Sequence, residues 1–152
     1  MITEDYVSFE TAKLLKEKGF DEPCYQCYVL IDKFVETSYY EFAVNSKLIK
    51  FERLYADEQP LINSKGFRDF INNKDKSRVF AAPTLQMAMK WLREEHNIFI
   101  SIIFCTYPSL NKVTWTPEIT TFDSVFPESA IEYDTYEEAG EAAIKYCLEN
   151  LL

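Results

Sequence analysis

The closing stretch 135–152, TYEEAGEAAIKYCLENLL, constrains the fold more than any other part of the chain. Tyr136, Ala139, Gly140, Ala143, Ile144, Cys147 and Leu151 recur at the helical period, so the spacing predicts an amphipathic helix with one apolar face to cover. Thr135 and Glu138 form a T-x-x-E capping box, and Glu137 and Glu138 complement the positive helix end. Gly140, in the middle of that face, costs up to about 1 kcal/mol of helix propensity. A backbone packed closely against a sheet would be a reason to keep it.

Two more helices carry their own start and stop signals. In SFETAKLLKEKGF (8–20), Ser8 caps the start, Phe9, Ala12, Leu15 and the stem of Lys16 share one side, and Gly19 ends the helix in the left-handed position. In PTLQMAMKWLREEHN (83–97), Pro83 discourages helix before it and Thr84 caps. Leu85, Ala88, Met89 and Leu92 then repeat at i, i+3, i+4, i+7, and Asn97 terminates.

Strands fill the space between. CYVLIDKFVE (27–36) and SYYEFAVN (38–45) are rich in aromatic and β-branched residues and predict a hairpin. KLIKFERLYA (47–56) reads as a half-buried strand, with helix the alternative, and the basic stretch 63–78 as a loop with room for one helical turn near 67–71. IFISIIFCTY (98–107) predicts a central strand buried on both faces. PSLN turns into KVTWTPEITTF (112–122), where Pro117 points to an edge strand or a bulge. The expected architecture is therefore α+β: a single globular domain over residues 1–152, a mainly antiparallel sheet with three helices packed on it, in the order α-β-β-β-α-β-β-α.

Composition agrees with a packed body. At 152 residues the chain is of one-domain length, and 47% hydrophobic and 16% aromatic residues supply a core without staples. No run approaches the ~18 apolar residues of a membrane span. The start, MITEDYVSFE, is acidic where a secretion signal would be basic and then apolar, so a cytoplasmic protein without membrane partners is expected. Four cysteines are too few for a disulfide scaffold, and Cys105 and Cys147 fall inside apolar patterns.

The second helix and its exit, together with the two chain ends, resemble a family of small uncharacterised prophage and mobile-element proteins of gut bacteria. There a PTxxxAxxWLRE helix is followed by a strand, and a TYEEAxEAAIxxxL helix closes the chain; here these are residues 83–94 and 135–148. With the 7–20 opening the resemblance covers about half the chain. It implies a biological setting; the family carries no agreed activity or catalytic residues, and so it implies no mechanism.

Chemical motifs are sparse. Cys24-x-x-Cys27 supplies two of the roughly four ligands of a structural zinc, with Cys105, Cys147 and His96 the only completions. A redox pair wants its first cysteine at a helix N-terminus, whereas this one leads into a strand beside Asp21 and Glu22, which disfavour a thiolate. His96 is the only histidine, and its place at a helix end has a simpler use, complementing the negative pole there. Glu94 with Glu95, and Glu137 with Glu138, are adjacent and project from different sides of a helix. With three glycines, a phosphate-cradling loop is hard to build. No catalytic residue and no cofactor is expected, and Cys24, Cys27 and His96 are at most weak metal candidates.

Charge suggests binding instead. Net charge is −9, yet residues 47–93 hold ten Lys/Arg against five Asp/Glu. Lys65, Arg68, Lys74, Lys76, Arg78, Lys90 and Arg93, interleaved with Phe67, Phe70, Phe80 and Trp91, could make a basic face within 65–93 that stacks on single-stranded nucleic acid. A plainer reading puts those aromatics in the core and the lysines in water. An acidic surface near 128–141 could mimic DNA toward a basic partner. Trp115, Tyr39 and Tyr40 could seat a partner at a sheet edge, with core packing the competing account. The reading as a whole is a non-catalytic phage- or mobile-element-type protein. It acts on a macromolecule, protein ahead of nucleic acid, or on a second copy of itself as a homo-oligomer.

Overall fold

A computed structural model describes residues 4–24, 26–29, 48–50, 79–126 and 131–152. The α+β expectation holds: three helices and two three-stranded antiparallel sheets are present among the described residues. The chain divides into two compact units, Ser8–Pro83 and Met1–Val7 with Thr84–Leu152.

In the Ser8–Pro83 unit, helix α1 (Phe9–Glu17) packs on a sheet of β1 (Gln26–Val29), β2 (Leu48–Lys50) and β3 (Val79–Ala81), with β1 in the middle. The Ser8 hydroxyl accepts from the Thr11 N–H, and Gly19 takes φ +89°, as the sequence predicts. Phe9 meets the rings of Tyr28 and Phe80 edge-on at 5.5 and 5.3 Å, and the Lys16 ammonium lies 4.6 Å from the centre of Phe80. Strand 79–81 was not expected; three residues before a proline carry too little alternation to show. The predicted 38–45 strand, and most of 47–56 and the 63–78 loop, lie outside the described residues.

The other unit is built on β4 (Phe99–Tyr107), β5 (Lys112–Thr120) and β6 (Val125–Phe126), in the order β4-β5-β6. Helix α2 (Leu85–His96) and helix α3 (Tyr136–Asn150) pack on this sheet and on each other. Their ends are those the sequence predicts. Thr84 caps α2, Asn97 closes it at φ 55°, and Thr135 and Glu138 make both bonds of the capping box. Leu85, Leu92, Ile98, Ile119, Ala143, Ile144, Cys147 and Leu148 form the buried centre. Gly140 brings α3 down onto the sheet: a Cβ there would sit 3.3 Å from Ile102 Cδ1 and 3.9 Å from Leu85 Cδ1.

Strand placement corrects two expectations. β4, expected at the centre and covered on both faces, is the edge strand of its sheet, and Phe99, Ile103, Phe104 and Tyr107 are exposed. β5, expected to be an edge strand or to carry a bulge because of Pro117, is the middle strand and keeps an unbroken register with β4. The register explains how it accepts a proline. Trp115 exchanges backbone bonds with Tyr133, and Ile119 pairs with Phe126, so the backbone groups of 115, 117 and 119 point away from β4. Pro117 falls between those two contacts, and the β4 ladder loses no donor.

Candidate functional site

The feature most able to act on another molecule is β4. Its one-to-one register with β5, from Phe99↔Thr120 to Tyr107↔Lys112, contains no bulge. Because 99, 101, 103, 105 and 107 use their backbone groups on β5, those of Ile100, Ile102, Phe104 and Thr106 point outward. Among the described residues nothing pairs with that edge. No Lys, Arg, Asp or Glu occurs anywhere in 98–111.

The two faces of this sheet differ. Ile100, Ile102 and Phe104 stand opposite Ile119, Pro117 and Trp115 on the face that receives α3. Trp115 is half-buried there, between Phe104 at 5.9 Å and Tyr136 at 5.6 Å, and so sits inside the unit rather than at an edge. Phe104, at the end of that row, remains 61% exposed. On the outer face Phe122, Phe99, Ile103, Cys105 and Tyr107 make a stripe, with Phe122 79% exposed and its ring 6.2 Å from Phe99. The stripe ends in polar contacts: the Tyr107 hydroxyl donates to Glu132, and Lys112 pairs with Asp134 at 3.5 Å. The Glu132 hydrogen bond holds the Tyr107 phenol above its ordinary range.

The expected chemical residues are placed elsewhere. Cys24 and Cys27 lie in the Ser8–Pro83 unit, both buried, with the Cys24 thiol 3.4 Å from the Gln26 carbonyl. Burial pushes the Cys24 thiol up to about 12 and raises that of Cys27 as well, which favours the neutral thiol over the thiolate. His96 ends α2 with its ring 4.4 Å from that of Trp91, and its Nε2 is buried without a hydrogen-bond partner. No group of three or more His, Cys, Asp or Glu side chains converges among the described residues.

Of the basic set, Lys90 and Arg93 are described, and both reach Glu94, at 3.9 and 3.7 Å. Gln86, on the same helix, donates to the Tyr136 hydroxyl at 3.0 Å. Lys65, Arg68, Lys74, Lys76 and Arg78 lie outside the described residues, as do Tyr39 and Tyr40. In the acidic stretch, Glu132 accepts from Tyr107, Asp134 pairs with Lys112 and Glu138 closes the capping box, so three of its carboxylates serve local structure. Sequence reasoning missed β4 as a surface because a strand apolar on both sides looks the same whether its second side meets a helix or water. The absence of charge from 98 to 111 was the available signal.

No family model, curated protein or solved structure matches the chain. No helix among the described residues is long and apolar enough to cross a membrane.

Proposed function

We propose that this chain is a non-catalytic binding protein, of the phage or mobile-element type its helix motifs resemble. It holds another polypeptide against the β4 edge and the adjoining outer stripe. One observation carries this reading: a nine-residue strand, uncharged and free of bulge and proline, has no partner on one edge among the described residues and exposes Ile103 and Phe104. Natural edge strands are normally blunted by lysine, proline, a bulge or a cover, because an open ladder templates pairing with any other chain. A protein that leaves one open gains a recognition element in which backbone bonds supply affinity and alternate side chains supply selectivity.

Cys24, Cys27 and Cys147 fit this reading, since burial favours their unreactive neutral form. The test is a photo-reactive residue placed at Ile103, with Glu95 on the exposed side of α2 as control. Irradiation in cells should give a heavier protein adduct from position 103 and none from 95. Equal labelling at both positions, or none at 103, refutes the reading.

A further inference from the structure

We infer that the polypeptide seated on β4 is a second copy of this chain, paired antiparallel about a two-fold axis at Ile103. This rests on the reading of β4 as a contact surface and names its occupant.

The strand is self-complementary at that register. Outward-pointing Ile102 meets Phe104 of the second copy, and Ile100 meets Thr106, each pair exchanging both backbone bonds, about eight in all. On the outer face Ile103 faces its own counterpart, Ser101 faces Cys105, and Phe99 faces Tyr107, an aromatic cross-strand pair formed twice. Centring on Ile103, the midpoint of Phe99–Tyr107, pairs the whole strand; any shift shortens the ladder.

Charge and area favour this occupant. A chain of net charge −9 repels its copies wherever carboxylates face each other, and 98–111 is a stretch where two copies meet without any. The exposed parts of Phe99, Phe104, Tyr107 and Phe122 would contribute at most roughly 400 Å² if wholly covered, at about 200 Å² per ring. Ile103, 48% exposed, and the open backbone edge add to this, an upper bound that lies near the low end of specific interfaces, about 600 Å² per partner.

Sedimentation equilibrium of the full chain tests the inference. We expect a monomer–dimer equilibrium that high salt strengthens and does not weaken, because no ion pair is lost and salt screens the repulsion between two chains of net charge −9. Phe104→Lys places two ammonium groups near each other across the axis and should weaken the dimer at least about tenfold, with the far-UV circular dichroism unchanged. Thr106→Pro removes an outward N–H that β5 does not use and should do the same. The register is read separately. In a Cys105→Ser background, Ile103→Cys should oxidise to a covalent dimer, since non-hydrogen-bonded neighbours bring Cα atoms to about 4.5 Å, within disulfide reach. A monomer at all concentrations overturns the inference, as does a dimer indifferent to Phe104→Lys and Thr106→Pro, or one that Ile103→Cys does not lock. A monomer whose position 103 still cross-links to a different polypeptide would remove the second copy and leave the binding surface standing.

Discussion

Replacing Gly140 by alanine sets two effects of known size against each other. Alanine recovers up to about 1 kcal/mol of helix propensity, since glycine loses more backbone freedom on folding. Against this, the new methyl would stand 3.3 Å from Ile102 Cδ1, closer than relaxed carbon contacts of about 3.5–4.0 Å. The crowding atom is the terminal methyl of a half-exposed side chain on an edge strand, so it can move by a few tenths of an ångström at small cost. Leu85 Cδ1, at 3.9 Å, is already in ordinary contact. Propensity should win, and Gly140→Ala should be neutral or stabilise by up to about 1 kcal/mol. Gly140→Leu inserts three more carbons at a buried position already in contact with Ile102 and Leu85; overpacking of about 1–3 kcal/mol exceeds the same propensity gain. The assay is urea unfolding followed by tryptophan fluorescence. Trp91 and Trp115 are the chain's only tryptophans, and both lie in the unit that holds α3. Destabilisation of more than about 1 kcal/mol by alanine would refute the reasoning, since it would mean that the β4 side of the contact is rigid.

Three further outcomes follow from the same contacts. Thr135→Ala removes the side chain that accepts from the Glu138 N–H and should cost about 0.5–2 kcal/mol in the same urea assay; a change below 0.3 kcal/mol would show the cap to be idle. Burial raises the Cys147 thiol to about 12 from an ordinary 9.0, so its contribution is fully present below pH 9 and is lost as the unfolded chain ionises first above it. Stability should therefore fall by about 1.4 kcal/mol per pH unit beyond pH 9 on account of this thiol. Cys147→Ala should flatten the slope while lowering stability at neutral pH, and an unchanged slope would contradict the assignment. The Gln26 Oε1 atom is buried without a partner, so Gln26→Met, nearly equal in shape, should raise the thermal midpoint of the Ser8–Pro83 unit. A lowered midpoint would mean that the amide is satisfied.

Helix ends were legible because their signals are local. Ser8, Thr84 and Thr135 cap through an oxygen three residues from its donor, and Gly19 and Asn97 take the backbone region their side chains allow. Strand order was not legible, because it depends on which neighbours arrive from far along the chain. Pro117 argued for an edge by removing a donor, yet only one of the two sides of β5 needs that donor, and the contacts with Tyr133 and β6 decide which. β4 showed the opposite failure. Its apolar residues on both sides matched a covered strand, and pattern alone does not separate burial inside one chain from burial between chains. The strand context that disfavours a redox pair at 24 and 27 is local and legible, whereas the burial of both thiols depends on the helix and sheet around them.

Pro117 also sets a limit on growth. A sheet that recruits strands by its open side could in principle lengthen into a fibre, adding copy after copy. Here the far side of the middle strand is interrupted by a residue that cannot donate, and β6 beyond it is two residues long. Among the described residues of this sheet one long uncharged border remains, and the two-fold pairing proposed above would consume it on both partners at once. Assembly of that kind would terminate at a pair instead of growing into a fibre.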